Sequence, residues 1–328
     1  MSRKLLSYTA LGLILGNAAI ADVPKVAVDI APVHSLVSRV MEGVGSPKLI
    51  IPAGASPHEY SLRPSEAKSL QDADMVIWMG EDLAPWMENS IEKLAKNAEV
   101  ITLLEASETK LLDFREGALF EEHDHGDHDD HDDHDDHDKD HDDHDDHDDH
   151  DDHAGHDHGE HDPHAWLSIE NAQTWLNLVA GKLSAADPEN AGVYFGNAAA
   201  ARSEIEELSK EVNSILDPVR GRSFVVFHDA YQYFETSFDF PASGAISLGD
   251  ATDPSASRIA EIQGRVREEG INCVLSEPQY NPNLVETVLE GTDAKTGVID
   301  PLGVNLEPGS KLYGDLIRNM AKSLAGCL

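Results

Sequence analysis

Residues 25–43 read KVAVDIAPVHSLVSRVMEG. The β-branched run over 25–31 predicts a buried strand. Over 32–43 the apolar residues Val33, Leu36, Val37, Val40 and Met41 recur at steps of three and four, a helical spacing that Gly43 ends. The alternation continues with strand patterns at 49–51, 75–79 and 100–104 and helical patterns at 65–73 and 83–96. Crossovers of helix length join parallel strands, so this half predicts a parallel sheet covered by helices.

A second alternating stretch begins with a strand at 223–227. Asp253-Pro254 opens a helix with Ile259, Ile262 and Val266 that Gly270 closes; strands at 272–275 and 297–300 and helices at 282–290 and 310–324 follow. Between the halves no strand interrupts 168–216. Ile169, Ala172, Leu176 and Val179 mark one helix, and Asp187-Pro188 opens another marked by Ile205, Leu208, Val212 and Ile215. A helix of about 28 residues is about 42 Å long, enough to run alongside two lobes. The expected fold class is α/β: two lobes, each a parallel sheet flanked by helices, joined by a long connecting helix, with a ligand cleft between them. The expected boundaries are an N-terminal lobe over 22–187, the connecting helix over 188–217 and a C-terminal lobe over 218–328.

Arg3 and Lys4 precede an apolar run from Leu5 to Ile20, and Ala19-Ile20-Ala21 supplies a small-x-small pattern. This predicts a signal peptide over 1–21, removed after Ala21. The run contains Ser7, Thr9 and Asn17 and is short for a membrane span. The expected product is an exported, unanchored chain. Cys273 and Cys327 then meet an oxidising compartment, where they read as a disulfide worth about 4 kcal/mol or as two buried thiols.

The net charge of the 328 residues is −38, but it is concentrated. Residues 121–162 hold 23 acids, one base and 14 of the 18 histidines, leaving 39 acids against 23 bases elsewhere. No basic face is available for nucleic acid or for an anionic membrane surface. The tract repeats His-Asp-Asp through His128, His131, His134, His137, His141, His144, His147, His150 and His153. It can bury no apolar area, so it is expected to be disordered. A solvated acidic linker would account for the aspartates but not for the histidines. Imidazole and carboxylate together predict several weak, interchangeable sites for divalent metal.

Outside the tract there are only His34, His58, His164 and His228. His58 and His228 follow strands, one in each half, and ligands of open parallel sheets bind beyond the carboxyl ends of strands. Three neutral imidazoles around one ion suit Zn²⁺. For any single histidine a hydrogen-bonded core or surface role is the simpler assignment, and spacing alone does not link positions so far apart.

Three motifs add the link: Asp162-Pro-His-Ala-Trp-Leu-Ser168, Pro57-His-Glu-Tyr-Ser-Leu-Arg-Pro-Ser65 and Phe227-His-Asp-Ala-Tyr231. They resemble the signatures of solute-binding proteins of zinc and manganese ABC importers, most nearly the ZnuA type, over the whole mature chain. The resemblance implies Zn²⁺ held between two lobes by His58, His164 and His228. Glu59 would complete the shell directly or through water, and Asp300 matches the place of an Asp ligand in manganese-binding relatives. It also implies a Cys273–Cys327 disulfide, a periplasmic location and a monomer that is not an enzyme. The implied partners are the membrane permease of a zinc ABC transporter and periplasmic metallochaperones; the tract would collect or buffer additional zinc. The alternatives are a manganese receptor of the same family and a zinc hydrolase using the three histidines.

Overall fold

The structure is a computed structural model that describes residues 23–115, 120, 161–247 and 254–328. The expected signal peptide and the tract histidines His128 to His153 lie outside the described residues. No helix among the described residues is long and apolar enough to cross a membrane.

The first lobe runs β1 (Val26–Val28), α1 (Ala31–Val40), β2 (Lys48–Leu49), α2 (Pro64–Gln71), β3 (Met75–Trp78), α3 (Pro85–Leu94) and β4 (Glu99–Thr102). Its strands are all parallel in the order β2-β1-β3-β4. The two central strands are buried throughout, as expected where helices cover both faces. Val26 and Val28 point into the main core, while Ala27 faces Leu70, Met87 and Ile91 on α2 and α3. That is the two-residue period of a strand. Pro32, Pro64 and Pro85 stand in the first turns of the three helices, where a missing N–H costs nothing.

Ser168 caps α4 (Ile169–Ala186) by accepting from the Asn171 N–H. Pro188–Asn190 forms a 3₁₀ turn, so the continuous helix expected from Pro188 onward starts at Ala191 instead. This helix, α5 (Ala191–Leu216), has 26 residues, about 39 Å. Tyr194, Ala198, Ala201, Ile205, Leu208, Val212 and Leu216 form its buried stripe.

The second lobe runs β5 (Phe224–His228), α6 (Gln232–Phe238), β6 (Ala245–Ser247), α7 (Ala256–Glu268), β7 (Cys273–Ser276), α8 (Pro282–Leu289), β8 (Lys295–Val298) and α9 (Leu312–Cys327). Its parallel order, β6-β5-β7-β8, repeats that of the first lobe. Three sequence expectations need correction. The short elements α6 and β6 carry no periodic signal and were missed. Ser255, not Asp253, caps α7 by accepting from the Arg258 N–H. The last strand lies at 295–298 rather than 297–300: pairing with β7 sets its register, and as an edge strand it exposes Lys295 and Thr296. Asp300 therefore falls in a loop.

Cys273 on β7 and Cys327 at the end of α9 form a disulfide, with their Cα atoms 5.8 Å apart. Near its other end α9 reaches the first lobe, where Tyr313 N–H donates to Ser35 Oγ on α1. Helices α5 and α9 thus tie the two sheets together.

Candidate metal centre

His58 lies on the loop between β2 and α2. Trp86 of α3 anchors that loop by donating from Nε1 to the Pro57 carbonyl at 2.7 Å. His164 directly precedes a single 3₁₀ turn, Ala165–Leu167, in which Trp166 donates from Nε1 to Pro301 O of the second lobe at 2.9 Å. His228 is the last residue of β5, at the carboxyl edge of its sheet.

The fold brings these three together. Their ligand atoms all lie within 4.8 Å of one another. Ring centroids are 5.5 Å apart for His58 and His164 and 5.3 Å for His164 and His228. His164 and His228 are buried, and His58 is half-buried. A tetrahedral shell with Zn–N bonds of about 2.1 Å places its nitrogens ~3.4 Å apart. The 4.8 Å bound on the set lies about 1.4 Å above that spacing.

Two buried carboxylates hold two of the rings. Asp162 Oδ1 lies 2.7 Å from His164 Nδ1 and also accepts from the His164 backbone N–H. Glu277 Oε1 lies 2.6 Å from His228 Nδ1. A carboxylate at Nδ1 fixes the proton there and leaves Nε2 as the metal-facing atom. Asp162 is legible in the sequence two residues before His164. Glu277 is 49 residues from His228, and only its place just beyond β7, the strand paired with β5, could have found it.

The histidines line a cavity of about 20 Å³ together with Trp166, Glu277, Gln279 and Tyr280. The Tyr280 ring lies 5.2 Å from that of His228 and stacks on Phe227 at 4.6 Å. A larger groove of about 550 Å³ between α1, α5 and α9 is lined by the Arg39–Glu204 pair and Arg318 and contains none of the histidines.

Neither carboxylate expected at the fourth position belongs to the cluster. Glu59 is exposed. Asp300 accepts from the N–H groups of Leu302, Gly303 and Val304 at 3.0, 2.9 and 2.7 Å, which makes it the cap of its own loop. His34 is buried in α1, with Nε2 3.3 Å from Pro47 O, and burial lowers its pKa.

Beside the site, Arg115 reaches from the end of the first lobe to Asp229 and Glu235, bonding Glu235 Oε2 at 2.7 Å and Asp229 Oδ2 at 3.0 Å. Burial pushes both acids up in pKa, and the guanidinium opposes it. Both roots of the histidine tract meet here: Asp162 N–H donates to Leu112 O, Tyr233 OH donates to Asp162 O, and Leu112 N–H donates to Tyr233 OH.

A family model described as "Zinc-uptake complex component A periplasmic" (ZnuA) matches residues 26–327. The chain is 47% identical over 326 residues to the high-affinity zinc uptake system protein ZnuA of Paracoccus denitrificans, covering 98% of each. It is 46% identical over 314 residues to the protein of that name from Brucella abortus, covering 95% of this chain and 94% of that one. A crystal structure of ZnuA superposes with a TM-score of 0.71 at 19% identity, over 93% of this chain and 99% of the other, a likeness of fold.

Proposed function

The chain belongs to the ZnuA family of periplasmic zinc-uptake components, and on that premise we propose that it captures one Zn²⁺ between its lobes and delivers it to the permease of an ABC importer. The observation that carries this is the convergence of His58, His164 and His228 within 4.8 Å. Three elements far apart in sequence supply them, and buried carboxylates orient two of the rings. Three imidazoles favour Zn²⁺ over the harder Mn²⁺. The cavity of about 20 Å³ has room for an ion and about one water, since a water needs roughly 10–15 Å³. A hydrolase would need space for an organic substrate beside the ion.

The same proposal covers export to the periplasm with cleavage after Ala21, lobes at 22–187 and 218–328 joined through 188–217, and a monomeric receptor. The tract anchored beside the cleft collects further zinc, raising its local concentration there without touching the tight site. Competition titration against a chelator of known affinity tests the core of it. Alanine at His58, His164 or His228 should each weaken the tightest zinc site at least a hundredfold, about 2.8 kcal/mol. Deletion of residues 123–160 should lower total zinc bound while leaving that site intact. Unchanged affinity in all three alanine variants would refute the assignment.

A further inference from the structure

Gln279 follows β7, two residues after the carboxylate that holds His228 and next to the tyrosine whose ring packs on it. Its side chain lines the histidine cavity. Both amide atoms, Oε1 and Nε2, are shut off from solvent, and neither meets a protein partner among the described residues. Leaving a polar group buried without a partner is unfavourable, so such groups in folded proteins are matched by protein, water or ligand. The matching group here must fit a space of about 20 Å³, close to the volume that admits one water.

Charge selects the same occupant. Asp162 and Glu277 back two of the imidazoles and bring two negative charges next to a divalent ion. The fourth ligand then needs no charge of its own, and a neutral water suits the place better than a third carboxylate. A water bound through its lone pair to zinc is polarised and presents its O–H groups outward, as strong donors. It needs a nearby acceptor, which an amide oxygen provides without adding charge.

We propose that Gln279 is a positioning and specificity residue whose Oε1 accepts from the water that completes the zinc shell. This rests on the metal centre proposed above. It gives the neutral amide a part in preferring zinc, because a carboxylate in its place would supply a hard anionic oxygen of the kind manganese favours.

The test uses the full chain loaded with one equivalent of zinc, which the tightest site takes first. Zinc-edge X-ray absorption should show three imidazole nitrogens and one oxygen. Gln279→Leu should keep the three nitrogens, weaken or lengthen the oxygen contribution and lower tight-site affinity about tenfold. Gln279→Glu should restore the oxygen and shift the Mn²⁺-to-Zn²⁺ affinity ratio at least tenfold toward Mn²⁺, a change that a merely structural role would not produce. Thermal unfolding of both variants separates loss of fold from loss of ligand. The proposal is overturned if Gln279→Leu binds zinc with wild-type affinity and an unchanged oxygen shell. It is equally overturned if Glu59→Gln, rather than Gln279→Leu, removes that oxygen. A wild-type shell lacking three imidazoles would be a different failure, that of the metal centre itself.

Discussion

Asp29 and Asp229 hold the same place in two sheets of the same order. Each follows the first strand of its lobe, β1 or β5, and each is buried. Among the described residues, the Asp29 carboxylate meets only backbone of its own lobe: the N–H groups of Ile30 and Met79, both at 2.7 Å. Burial raises its pKa to about 7, although the N–H groups of Met79 and Ile30 pull the other way. Asp229 instead meets Arg115, which arrives from the other lobe. In the first lobe the contribution to the histidine cluster, His58, comes from the loop between β2 and α2. In the second the strand end itself presents His228, with Glu277 beside it. Equal topology thus places a buried acid at each strand end, one held by backbone of its own lobe and the other by an arginine of its neighbour.

The strongest way to break this contrast is Arg115→Met. It leaves Asp229 and Glu235 buried without a countercharge, and unfolding free energy should fall by about 3–5 kcal/mol. Urea denaturation measures it, and a loss below about 1 kcal/mol would mean that the interlobe ion group is not a structural tie. Next, Glu277→Gln should weaken the tight zinc site about ten- to a hundredfold by removing the carboxylate behind His228. Asp29→Asn, at the matching strand end, should leave that affinity unchanged in the same chelator competition.

Asp29→Asn should act on pH dependence instead. The folded pKa of about 7 lies above the ordinary 3.8, so over the interval between them the folded chain holds a proton that the unfolded chain has released. The stability this gives is fully present below the unfolded value and is lost as pH rises through about 7. Melting temperatures at pH 5, 6.5 and 8 should therefore fall more steeply in the wild type than in Asp29→Asn. Parallel slopes would place the dependence elsewhere. The smallest effects belong to His34→Ala and Glu59→Gln, each expected to change tight-site affinity by less than about threefold; a tenfold loss from Glu59→Gln, about 1.4 kcal/mol, would return it to the shell.

The alternating pattern of strands and helices was legible because central parallel strands are continuously apolar and their crossovers repeat every three or four residues. What escaped were elements whose form depends on neighbours. The helix α6 is seven residues long, and β6 is three; neither is long enough to show a period. At the site, the motifs around His58, His164 and His228 singled out those residues, and Asp162 travelled with one of them. Glu277 and Gln279 carried no local signal, because their importance comes from standing opposite β5.

The sequence by itself determined the two α/β halves, the long helix between them, the histidines left outside the acidic tract and the pair of cysteines. These follow from period, composition and local motif, all of which act over a few neighbouring residues. Only the tertiary structure decided that Glu277 backs His228, that Asp300 caps its own loop, that Glu59 faces solvent and that Arg115 crosses to Asp229. Two of those, Glu277 behind His228 and Arg115 on Asp229, are contacts between segments 49 and 114 residues apart, set by the pairing of β5 with β7 and the packing of one lobe on the other. Burial, which fixes what a carboxylate or an amide can do, exists only once those segments meet.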